Sequence, residues 1–163
     1  MSAEQKKQMG VLGLIVALMV VLVGSLLFMG AVSGWFDDPK VSLSEEYYTD
    51  TPEMMDLSVA GYEELVNNKK SFLVFVDQAS CTTADRLRDY VKDYMKTHGV
   101  SIYRMMFSEV KESSLHDSVK YYPSVVIINR GMVRDFLRAD SDEDSGAYND
   151  YGIFEEWMTQ RLE

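Results

Sequence analysis

Phe72-Leu73-Val74-Phe75-Val76-Asp77-Gln78-Ala79-Ser80-Cys81-Thr82-Thr83-Ala84 (FLVFVDQASCTTA, residues 72–84) is the stretch that decides the fold. Its first five residues are an unbroken apolar run of β-formers, which is how a strand buried on both faces of a central sheet reads. Polar turn residues follow, and then the period changes. Leu87, Val91 and Tyr94-Met95 recur at helical spacing, which predicts a helix over 83–97. Gly99 terminates it, with His98 beside it as a C-terminal cap. Cys81 therefore sits where a buried strand turns into a helix. The unsatisfied N–H groups of a first helical turn favour an anion, and the thiolate is the reactive form of cysteine. Position alone is not decisive, because free cysteines are also among the most buried residues.

Outward from this unit, residues 59–67 read as a short helix, with Val59, Tyr62 and Leu65-Val66 on one stripe. Residues 100–107 alternate as a second strand, and 113–121 form a short helix before Pro123. Residues 124–128 (SVVII) are a third, buried strand; Asn129-Arg130-Gly131 makes a hairpin turn, and 132–137 return as a fourth. An acidic loop, 139–150, leads into a last helix over 153–162, with Ile153, Phe154, Trp157 and Met158 on its inward stripe. The order is α–β–α–β–α–β–β–α. Strands joined through helices suggest parallel pairing, and the last two must be antiparallel.

Tyr122-Pro123-Ser124 stands directly before the third strand. A proline there removes a strand donor and marks a turn whose neighbouring backbone groups can pair with an extended peptide. Element order over residues 57–163, the strand FLVFV, Cys81 at the strand-to-helix turn, YPSVVII and the NRGMV hairpin together resemble the thioredoxin-like family. The 42 residues from Cys81 to Pro123 are also similar to that family's spacing. The resemblance implies an α/β, three-layer thioredoxin-like sandwich with a central mixed sheet and a thiol–disulfide site. Cys81 matches the attacking cysteine of the C-x-x-C motif, with Thr82 and Thr83 between the motif positions. Pro123 matches the cis-proline, and Tyr122 matches the variable residue before it, which contacts substrate. No cofactor is implied.

This sequence departs from the pattern in two places. Ala84 occupies the resolving-cysteine position, so a mixed disulfide on Cys81 cannot be cleaved from within the chain. Phe75 stands where the family keeps an interior acid; Asp77, on the same strand face by alternation, is a candidate substitute. Three readings of Cys81 stay open. It is a monothiol whose mixed disulfides are resolved by an external thiol; or half of an intermolecular disulfide, including a Cys81–Cys81 dimer; or part of a degenerate, non-catalytic domain that binds peptides or scaffolds proteins.

The N-terminus reads differently. Residues 9–32 are 24 positions without a charge, enough to cross the ~30 Å hydrocarbon core as one helix. Lys6 and Lys7 precede it and Asp37 and Asp38 follow, so the N-terminus is expected in the cytoplasm. The expected organisation is a cytoplasmic segment 1–8, a transmembrane signal anchor 9–34, an extracytoplasmic linker 35–56 and the domain 57–163. The rival is a cleaved signal peptide, with small residues at 31–33, but the apolar run is longer than such segments carry. The localisation expected is a single-pass cell-envelope protein whose C-terminal domain lies outside the membrane. Tyr47, Tyr48, Met54 and Met55 can pack on the domain as an extra edge. Glycines 10, 13, 24 and 30 would allow helix-mediated dimerisation.

Charge and composition bound the rest. The chain has 163 residues, with 26 Asp+Glu against 16 Lys+Arg and a net charge of −10, which argues against nucleic acid as a partner. Protein or peptide thiols and disulfides are the expected partners. One cysteine and two histidines exclude a Cys-rich zinc site. The acidic loop from Asp140 resembles a calcium loop, but Ser145 and Tyr151 stand where an EF-hand needs Gly and Glu, so no metal site is expected. Ser114, His116 and Asp117 crowd one short helix and cannot converge as a triad, leaving His116 as a surface residue.

Overall fold

The computed structural model describes residues 40–163 and, before them, Val16, Met19, Val20, Val21 and Ser25, which are helical. The expected anchor, 9–34, otherwise lies outside the described residues, as does the segment 1–8. Among the described residues no helix is long and apolar enough to cross a membrane. Residues Lys40–Glu163 form one compact unit.

That unit is a five-stranded mixed sheet in the order β1-β3-β2-β4-β5. The strands are β1 (Met54–Asp56), β2 (Phe72–Asp77), β3 (Ile102–Met106), β4 (Ser124–Asn129) and β5 (Met132–Phe136). The helices are α1 (Val59–Asn67), α2 (Thr82–His98), α3 (Phe107–Val110) and α4 (Tyr151–Thr159). β2 is central, and all six of its residues are buried. It pairs parallel with β3 and antiparallel with β4. Parallel pairing, expected wherever helices join strands, thus holds for β2–β3 but not for β4. The chain crosses to the far side of β2 after β3 and returns in the opposite sense, which puts both hairpin strands at one side of the sheet.

The alternation of β2 separates the layers. Phe72 meets Tyr62 of α1 at 6.2 Å and Tyr103 of β3 at 5.8 Å, and Tyr103 in turn meets Tyr47. On the opposite face, Asp77 receives Arg88 of α2. α4 joins that second layer: Phe154 contacts Tyr90 and Tyr94 of α2. The result is a three-layer α/β sandwich with a central mixed sheet, the class the sequence predicts.

The start of the domain shifts from 57 to Lys40. Residues 40–56, expected as part of a linker, bury Val41, Leu43 and Tyr47 and contribute the edge strand β1. Val41 forms a parallel bridge with Leu162, and β1 pairs parallel with β3 from Met54↔Ile102 to Asp56↔Arg104. Their apolar residues lack periodicity because most of the segment packs as an irregular strap. The predicted helix 113–121 is only a 3-10 turn, Ser114–Asp117. The last helix begins at Tyr151, so its buried stripe is Phe154, Trp157 and Met158 while Ile153 stays 47% exposed.

Candidate functional site

Register alone gathers the sequence-selected residues. Val76 of β2 is opposite Ser124 of β4, and Asp77 is opposite Met106 of β3. The turn to Cys81 leaves β2 at that end, Tyr122-Pro123 enters β4 there, and Phe107 leaves β3 there. One end of the sheet therefore collects Cys81, Phe107, Tyr122 and Pro123, although they span 42 residues of chain.

Cys81 is a free cysteine of intermediate exposure. It is the N-cap of α2 with extended backbone (φ −120°, ψ 116°), and its side chain makes no cap hydrogen bond. Its carbonyl accepts the first helical bond, from Asp85 N at 3.0 Å. Ser80, immediately before it, holds φ 58°, the left-handed conformation that turns the chain sharply out of β2. In the first turn of α2, Thr82 is exposed, Thr83 is half-buried and Ala84 is fully buried. The apolar stripe of α2 thus begins at the position where a second thiol would stand.

The Tyr122–Pro123 peptide bond is cis. Pro123 is buried, and its carbonyl accepts from the Tyr148 hydroxyl at 2.8 Å. The same hydroxyl reaches the carbonyl of Leu137 at 3.0 Å, which also accepts from Ser124 Oγ at 2.7 Å. Burial, reinforced by the negative charges of Asp144 and Asp140, pushes the Tyr148 phenol far above its ordinary range, so it stays a donor. Tyr122 is half-buried, its ring 4.6 Å from that of Phe107. Its hydroxyl donates to the Val119 carbonyl at 2.5 Å and lies 3.1 Å from His116 Nδ1.

Asp77 has another role than the one the sequence suggests. It is 2% exposed, and both carboxylate oxygens accept from Arg88, Oδ2 from Nε at 2.9 Å and Oδ1 from Nη2 at 2.7 Å. Arg88 also holds Asp85 at 2.8 Å, and Arg104 stands 3.9 Å from Asp77. A carboxylate gripped on both oxygens by a guanidinium is a structural anchor. It ties the end of β2 to the second turn of α2, across the loop that carries Cys81.

The sequence marked Cys81, Thr82, Thr83, Tyr122 and Pro123, but it carried no sign of Arg88, Tyr148 or His116. His116 read as a surface residue, yet it is half-buried against Tyr122. Asp77, directly after the apolar run 72–76, hints at a buried charge but does not say which cation meets it. Nothing in local pattern points to Tyr148 or His116, whose partners lie on other elements or across an irregular turn.

The fold is similar to that of a solved thioredoxin, and two others superpose less closely. A mutant thioredoxin from Halobacterium salinarum NRC-1 superposes with a TM-score of 0.51 at 11% identity, covering 71% of this chain and 95% of that one. Thioredoxin from Malassezia sympodialis gives 0.49 at 14% identity, covering 68% and 94% respectively. The oxidised protein from Plasmodium falciparum gives 0.48 at 14%, covering 64% and 98%. No protein-family model and no curated protein matches the sequence.

Proposed function

From the premise of a thioredoxin-like fold, we propose that this chain is a membrane-anchored, extracytoplasmic monothiol thiol–disulfide exchange protein that uses Cys81. The observation that carries the reading is a half-exposed cysteine capping α2, at the same sheet end as the Tyr122–Pro123 turn. The thiolate is the reactive form of cysteine, and the start of a helix is a place that favours an anion. The thiolate attacks one sulfur of a partner's disulfide; a bond forms between Cys81 Sγ and that sulfur, and the other sulfur leaves as a thiolate. Ala84 cannot complete the cycle, so an external thiol, small or protein-borne, attacks the mixed disulfide. That step returns the Cys81 thiolate and leaves the partner joined to the external thiol. Thr82, Thr83, Tyr122 and Pro123 line the approach.

The uncharged run 9–32 supports membrane attachment, as do the exposed, helical Val16, Met19, Val20 and Val21 within it. Lys6 and Lys7 before the run support a cytoplasmic N-terminus, and an extracytoplasmic domain meets the oxidising conditions in which disulfides persist.

The test uses the full chain in detergent micelles. A peptide disulfide should form a trappable adduct with the wild type and none with Cys81→Ser. Iodoacetamide should label Cys81 in the folded chain, as its partial exposure allows. An inert thiol that forms no adduct would instead leave a non-catalytic, peptide-binding or scaffolding domain.

A further inference from the structure

The hydroxyl of Tyr122 has a single proton, and the Val119 carbonyl takes it at 2.5 Å. The contact of 3.1 Å between that hydroxyl and His116 Nδ1 must then run the other way, with the imidazole N–H donating to the phenol oxygen. Burial raises the Tyr122 phenol, in keeping with a hydroxyl that holds its proton. His116 is itself held in place. It belongs to the 3-10 turn Ser114–Asp117, whose Leu115 is fully buried. Ser114 donates to the Glu63 carboxylate of α1 twice, from N at 2.8 Å and from Oγ at 3.1 Å. The phenol end of Tyr122 is thus fixed from two directions. Its ring packs at 4.6 Å, tilted by 58°, on Phe107, and Lys111 Nζ lies 4.2 Å from the Phe107 centroid. With its proton on Val119 and its oxygen occupied by His116, Tyr122 has carbon surface to offer a partner.

We propose that His116 is a positioning residue: by donating from Nδ1 to Tyr122 it holds the Tyr122–Phe107 pair as an apolar wall beside the cis-proline. That wall selects peptide disulfides with an aromatic or aliphatic side chain next to the reacting cysteine. The assignment rests on the exchange reading of Cys81. A flanking apolar side chain loses water against the two rings, whereas a polar one loses its hydration and finds the phenol already engaged.

The test compares mixed-disulfide formation by the full chain in detergent micelles with two peptide disulfides, one carrying Phe and one Ser beside the cysteine. The wild type should favour the Phe peptide by about fivefold to tenfold. His116→Ala should bring that preference close to unity, while iodoacetamide, too small to use the wall, labels Cys81 at the wild-type rate. His116→Asn, whose amide N–H can replace the Nδ1 donor, should restore most of the preference. Tyr122→Phe should match His116→Ala, and combining the two should add no further loss. Nitrogen NMR of neutral His116 should show the proton on Nδ1. A proton on Nε2, or a preference that survives His116→Ala, overturns the assignment while leaving Cys81 chemistry intact. A wild type that reacts with neither peptide overturns the exchange reading and the selectivity together.

Discussion

At the scale of single residues, Asp77 shows how a buried charge is tolerated. Arg88 satisfies both of its oxygens, and Arg88 keeps Asp85 as a second partner. Asp77→Ala leaves a partly buried guanidinium with one carboxylate instead of two. The expected loss is about 3 kcal/mol, at the low end for a broken buried pair because Arg88 is still partly hydrated. A chemical-denaturation midpoint checks it. Ala84 gives the complementary prediction. Ala84→Cys supplies a second thiol one helical turn from Cys81, so the reduced variant should reduce one equivalent of a peptide disulfide without an added resolving thiol, closing a disulfide between the two positions. A domain whose site serves only for binding would show no such reduction. The place of Cys81 was legible in the sequence because it falls between an apolar strand run and the start of a helical period. Arg88 was not, since a cation on an acidic helix surface reads as solvated until the strand beneath it is known.

At the scale of elements, the hairpin between β4 and β5 is the most sharply determined. Arg130 and Gly131 hold φ of 50° and 76°, the two positive values of a type I′ turn. Gly131 has a second constraint that no turn rule supplies: a Cβ there would collide with the carbonyl oxygen of Val66 in α1. Gly131→Ala is therefore expected to cost about 2–4 kcal/mol, more than the left-handed conformation alone, as thermal unfolding would show. The start of α4 depends on Asp150, whose Oδ1 accepts from Ile153 N at 3.1 Å. Asp150→Ala should lose about 1 kcal/mol in the same measurement. Helical periods exposed α1 and α2 in the sequence, and unbroken apolar runs exposed β2 and β4. The 3-10 turn at Ser114–Asp117 is shorter than the helix its sequence suggests, because one buried leucine and a few polar neighbours carry no period to read.

For the whole molecule, the strap 40–56 is part of the folding unit. Val41, Leu43 and Tyr47 are buried, and burying three such side chains contributes on the order of 5 kcal/mol. Residues 40–163 should melt cooperatively, and 57–163 should lose that transition in calorimetry. Alkali provides a second global test. Burial pushes Tyr62 and Tyr94 up to about 12. The unfolded chain releases phenolic protons near ~10 while the folded chain still holds them. Their contribution is thus complete below ~10 and is lost as pH rises from there to about 12, which phenolate absorbance and circular dichroism should record together.

Local pattern was enough to establish α1, β2, α2, β3, β4, β5 and α4 in their order, the thiol at the start of α2, the hairpin at Gly131 and the absence of a second thiol at Ala84. Each follows from a short-range rule: the period of apolar residues, the orphan N–H groups of a helix start, a turn needing positive φ, and the identity of one side chain. Only the folded arrangement shows that Lys40 to Asp56 belong to the domain, that β4 runs against β2, and that Arg88, Tyr148 and His116 support the site. These depend on contacts between residues far apart in the chain or joined by irregular turns. Their energies come from burial and hydrogen-bond geometry that exist only once the sheet has brought its strand ends together.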